Sequence, residues 1–128
     1  MSVALRLLVA LATAGLGAAP SVAAGPDYLD QLLKGKVAGT PRRCIFPDRS
    51  AQPEIIDRTA LVYRDARFTY VARFKSSCPA LREDRRVTVR SAGGQLCEND
   101  PVHIAETTGH DFGFCTFDKF VPYGKAGK

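Results

Sequence analysis

Four cysteines, two histidines and an arginine-rich loop are the residues with chemistry to offer in this chain. Cys44, Cys78, Cys97 and Cys115 stand 34, 19 and 18 residues apart. A zinc site wants close pairs such as C-x-x-C, and haem attachment wants C-x-x-C-H; neither occurs. A cysteine nucleophile needs a free thiolate with a histidine in reach. An even number of cysteines in a chain bound for an oxidising compartment points instead to two disulfides. Of the three connectivities, Cys78 with Cys97 and Cys44 with Cys115 is the expected one. The first would pin a hairpin and the second would tie the first strand of the sheet to the last. Loop entropy gives about 3.3 and 4.4 kcal/mol for these loops, against about 3.8 and 3.3 for sequential pairing, so topology decides and energy does not.

His110 and Asp111 adjoin in the segment TTGHDFG, where an imidazole beside a carboxylate could act as a base or hold a metal. Glu98 and Asp100 flank a turn, and calcium would need more oxygen ligands than that stretch offers. His103 alternates with Val102 and Ile104 and reads as a half-exposed strand residue. No G-x-S-x-G, H-E-x-x-H or phosphate-cradling glycine loop is present, so no catalytic residue, metal ligand or cofactor is assigned. Arg82, Arg85, Arg86 and Arg90 form the densest basic cluster, with Arg73 and Lys75 nearby in sequence. They are the candidate docking residues for an acidic surface, a lipid headgroup or a polyanion.

The elements that must position these residues begin after a secretory signal. Arg6, the apolar run from Leu7 to Ala12 and the small residues Ser21 to Ala24 have the required order, and residues 1–24 are expected to be removed. The apolar stretch is too short and too interrupted to span a bilayer. No cysteine offers a lipid attachment point at the cleavage region, and no Arg-Arg pair precedes the apolar run. Export to the periplasm or beyond follows, with no membrane span after signal removal. Cleavage leaves 17 basic against 13 acidic side chains, interleaved as in Arg82-Glu83-Asp84-Arg85-Arg86, which argues against a nucleic-acid partner.

Residues 25–43 read as a short helix and a connector: Pro26 and Asp27 open it, Leu29, Leu32 and Leu33 share a side, and Lys34-Gly35 close it. Residues 44–123 read as a disulfide-bonded, mainly β domain, an antiparallel sheet or barrel-like body of about six strands. Its clearest period lies at Phe68, Tyr70, Ala72 and Phe74, a half-buried strand forming a hairpin with the run ending at Tyr63. Val87 to Arg90 and Gln95 to Cys97 suggest a second hairpin across Gly93-Gly94. Residues 107–113 read as a mobile connector, and 124–128 as a disordered tail.

Cys44-Ile45, Leu61-Val62-Tyr63-Arg64, Tyr70, Cys78-Pro79 with Leu81, Leu96-Cys97 with Asp100, and Cys115 followed by Phe120 and Pro122 form a frame that resembles a family of small exported proteobacterial proteins of unknown function. Asn99 stands where that family often has glycine, and asparagine tolerates the left-handed turn such a glycine would make. The resemblance implies export and a shared scaffold, and carries over no site residues. The leading expectation is a non-enzymatic binding or envelope-associated module with an unidentified protein or envelope component as partner. A small hydrolase or metal-dependent enzyme using His110, Asp111 and Asp100 is the alternative, and a purely structural envelope protein the third.

Overall fold

The computed structural model describes residues 25–48 and 52–126, together with Gly15 and Gly17, so the expected signal segment lies otherwise outside the described residues. The chain is mainly β, 46% strand and 9% helix, curled into an antiparallel half-barrel. In chain order its elements are α1 (Pro26–Leu32), β1 (Lys36–Ala38), β2 (Cys44–Ile45), β3 (Glu54–Ile56), β4 (Ala60–Arg64), β5 (Thr69–Phe74), β6 (Arg86–Val89), β7 (Leu96–Cys97), β8 (Pro101–Ala105) and β9 (Asp111–Lys125). The main sheet runs β3-β4-β5-β9-β8-β6, with β1 added to β9; β2 and β7 form a separate two-stranded ladder.

β9 is the organising strand, since its first half pairs with β8, its second with β5, and its end with β1. The inner face of the half-barrel buries Leu61, Tyr63, Tyr70, Ala72, Val102, Ile104, Phe117 and Phe120. On the outer face α1 seats Leu29 against Ile56, Ala60, Val62 and Val71. A seven-residue helix is marginal alone, and this docking is what holds it. β4 and most of β5 are therefore covered on both faces. That is why Ala60-Leu61-Val62-Tyr63 is a continuous apolar run, and why β5 is more buried than its alternation suggests.

The β4–β5 hairpin forms as expected, with Arg64 opposite Thr69 and Tyr63 opposite Tyr70. Its turn needs no glycine because the Asp65 carboxylate accepts from the Arg67 and Phe68 amides, each at 2.7 Å. The run from Glu54 to Arg64 divides into β3 and β4 at the turn Asp57-Arg58-Thr59.

Four expectations are corrected. The disulfides are Cys44–Cys97 and Cys78–Cys115. The segment Leu96–Cys97 does not return along β6; it pairs with β2, placing Cys44 directly opposite Cys97, while β6 pairs with β8. Gly93 and Gly94, at φ 68° and 78°, turn the chain out of the path a hairpin would take. Buried Cys78 is thereby left to reach β9 at Cys115. Residues 107–113 are not all connector: the Glu106 amide donates to the His110 carbonyl at 2.8 Å across a tight turn, and β9 starts at Asp111. Nor is the whole of 124–128 a disordered tail, because Gly124 and Lys125 pair with Val37 and Lys36 of the segment expected to be a connector. Lys128 and its neighbour at 127 lie outside the described residues.

Candidate functional site

The half-barrel is open between its edge strands, β3 and β6, and a groove of about 320 Å³ lies on that side. Val87 and Val89 of β6, Leu96 of β7 and the prolines Pro47 and Pro53 give it apolar walls, and Tyr63 of β4 belongs to its lining. Alternation along β6 turns the two valines inward while Arg86, Thr88 and Arg90 face solvent. Asp48, Gln52 and Ser91 add polar groups to the lining, Asp48 being engaged in an interaction of its own. Phe46, next to Pro47, is 74% exposed.

Tyr63 is the unusual member. It is only 7% exposed, and burial alone pushes its phenol well above the ordinary range. Its hydroxyl has no hydrogen-bond partner among the described residues. No described side-chain nitrogen or oxygen is fully enclosed without a partner, so that hydroxyl opens to the groove. Tyr70, its cross-strand neighbour, differs: its hydroxyl accepts from Arg42 Nη1 at 3.1 Å, and Arg42 also lies over the Phe68 and Tyr70 rings.

The arginine cluster of the sequence spans the turn closed by the Arg85 amide on the Arg82 carbonyl and the strand β6 that follows. Arg82 shares a shallow hollow with Asp57, Glu83 and Asp84. Arg85 is folded onto Phe112, its guanidinium carbon 3.7 Å from the ring centroid, and it donates to the Ala80 carbonyl. Arg86 and the residue just beyond β6, Arg90, remain exposed. Of the four, Arg85 is engaged within the protein itself, while Arg82, Arg86 and Arg90 are exposed.

His110 and Asp111, adjacent in the chain, are not brought to Asp100. Asp111 pairs with Ala105, five residues along the chain from Asp100, which is roughly 17 Å of extended strand. Asp111 accepts from the Gly113 amide at 2.7 Å, and His110 stands edge-on to the Phe112 ring at 4.8 Å. Asp100 accepts from the Cys97 amide at 2.8 Å, and Asn99 takes the left-handed conformation at φ 75°. Glu98 pairs with Lys75 at 3.2 Å and Arg43 at 3.5 Å. His103 lies on the outer face, as its alternation with Val102 and Ile104 requires, beside Phe114, which is 64% exposed. All four cysteines are in disulfides, and no described group of three His, Cys, Asp or Glu is arranged to hold a metal.

No protein family, curated protein or solved structure matches this chain. Sequence reasoning missed the groove because its walls come from four separate segments, none of them a motif. The one available signal was a tyrosine closing an otherwise aliphatic run in β4.

Proposed function

We propose that this chain is a non-enzymatic binding module acting outside the cytoplasm, with the groove between β3 and β6 as its ligand site. The observation that carries this is the Tyr63 hydroxyl, buried beside the groove's apolar walls and open to the groove with no hydrogen-bond partner among the described residues. A buried donor of this kind favours a ligand that supplies an acceptor. The occupant is a compact amphipathic molecule: an apolar body against Val87, Val89 and Leu96, and one carbonyl or similar acceptor toward Tyr63. The volume is at the lower end of the roughly 300–1,000 Å³ of small-molecule sites, so the ligand is small.

Export rests on the order of residues at the N-terminus and on two disulfides, which persist in oxidising compartments. Among the described residues no helix is long and apolar enough to cross a membrane. N-terminal sequencing of the protein recovered outside the cytoplasm should begin at Ala24 or Gly25. The ligand site is tested by amide NMR of the disulfide-bonded protein titrated with aryl and alkyl carboxamides. Shifts at Val87, Val89 and Leu96 that weaken in Tyr63→Phe are expected. Absence of groove shifts, or shifts indifferent to that substitution, would overturn the site.

A further inference from the structure

A second hollow, of about 370 Å³, lies where the β3–β4 turn meets the end of β5. Three cations line it: Arg58, Arg73 and Lys75. The hairpin register that sets Leu61 opposite Ala72, continued toward the turn, carries Arg58 toward Lys75. Like charges facing each other across strands repel, and the sequence gives no hint of this meeting because 15 to 17 residues separate them. Neither Arg58 nor Arg73 has a carboxylate within 4 Å among the described residues, while Lys75 pairs with Glu98, which is not part of the hollow's lining, at 3.2 Å. Asp57, although adjacent to Arg58, accepts from the Glu83 amide and lines a different hollow. Ser76 and Ser77 add hydroxyls with no partner among the described residues, and the Thr59 hydroxyl is used locally, donating to the Asp57 carbonyl.

The backbone sharpens the point. Arg58 is held at φ 57°, a left-handed conformation that costs a non-glycine residue free energy, and its amide is fixed by the Leu81 carbonyl at 2.8 Å. Arg73 sits where the β5–β9 register shifts, a bulge of the kind that re-aims a side chain. A strained turn and an irregular strand thus deliver two guanidiniums and an ammonium to one hollow.

We infer that this hollow binds a tetrahedral oxyanion of phosphate type, held by the forks of Arg58 and Arg73, with Lys75 adding charge and Ser76 and Ser77 donating hydroxyl hydrogens. Guanidinium forks match such oxygens in pairs, and each bond is charge-assisted. The oxyanion is either the free ion or a phosphomonoester headgroup presented by a lipid surface.

The test is calorimetric titration of the full disulfide-bonded protein with inorganic phosphate at low ionic strength, beside sedimentation with vesicles of phosphatidylcholine alone or with phosphatidic acid. Arg58→Gly removes a guanidinium at a position whose backbone suits glycine, so that variant stays folded; Arg73→Gln alters an exposed side chain. Arg82→Gln, outside the hollow, is the control. Phosphate binding that weakens tenfold or more in both hollow variants and not in the control supports the free ion. Phosphatidic acid retention with the same variant pattern, without phosphate binding, supports the headgroup. Binding to neither, or binding that Arg58→Gly and Arg73→Gln leave within twofold, overturns the inference.

Discussion

Arg85 lies over the face of Phe112, its guanidinium carbon 3.7 Å from the ring centroid, and so fastens the loop after Cys78 to the start of β9. Its Nη1 also donates to the Ala80 carbonyl within that loop. A half-buried cation over a ring is worth about 1–2 kcal/mol. Arg85→Ala should therefore lower urea-unfolding stability by about that much. Arg86→Ala, one residue on and exposed, should stay within about 0.5 kcal/mol. Equal losses from the two would show that Arg85 has no such role.

The cross-strand position of Cys44 and Cys97 makes the disulfide pattern directly checkable. Digestion without reduction should yield one linked pair containing Cys44 and Cys97 and another containing Cys78 and Cys115. Replacing Cys44 and Cys97 together by alanine removes a 53-residue separation from the unfolded-state constraint, about 4 kcal/mol in the loop-entropy picture. In a domain of this size that loss should appear as a much lower urea midpoint. Recovery of a Cys78–Cys97 peptide would contradict the fold itself, because β7 would then have to leave β2.

Local chemistry made the β4–β5 hairpin, α1 and the alternation of β8 legible in the sequence, since each is written in one continuous stretch. The placement of Leu96–Cys97 was not, because a two-residue strand has no period and its partner lies 51 residues upstream. Leu81 shows the same limit: it stands in a charged loop yet is fully buried with Cys78 in the inner core. Both sites were hidden for this reason. Tyr63 looks like one more strand aromatic until β6 and β7 close around it, and Arg58 looks like a solvated turn residue until β5 brings Arg73 and Lys75 beside it.

Asp65 titrates with a predictable sign. Partial burial works against its charge, but the Phe68 and Arg67 amides, the Tyr70 hydroxyl and the Arg42 guanidinium outweigh that and lower its pKa. A carboxylate lowered by folding contributes stability above its unfolded pKa, about 3.9, and loses it as pH falls through the lower folded value. The stability gap between the native protein and Asp65→Asn should be constant from pH 8 to 5 and close below about pH 4. Solvent screening at this exposed turn keeps the gap under about 1 kcal/mol. A gap that widens in acid would reverse the assignment.

Tyr63 should leave its mark at the other end of the pH scale. Burial raises its phenol pKa, so the folded state keeps the proton after the unfolded chain has begun to lose it near pH 10. Folding stability is then intact below about pH 10 and falls as pH rises beyond it. Because the hydroxyl has no protein partner among the described residues, Tyr63→Phe forfeits no internal hydrogen bond, and at pH 8 its stability should lie within about 1 kcal/mol of the native protein. Between pH 10 and 11.5 the variant should lose stability less steeply, with Tyr70, also raised by burial and by Asp65, accounting for part of the remaining slope. Thermal midpoints measured at pH 8 and 11 decide it. A large loss at pH 8 would mean that the hydroxyl already has a partner, and would remove the reason for placing a ligand acceptor there.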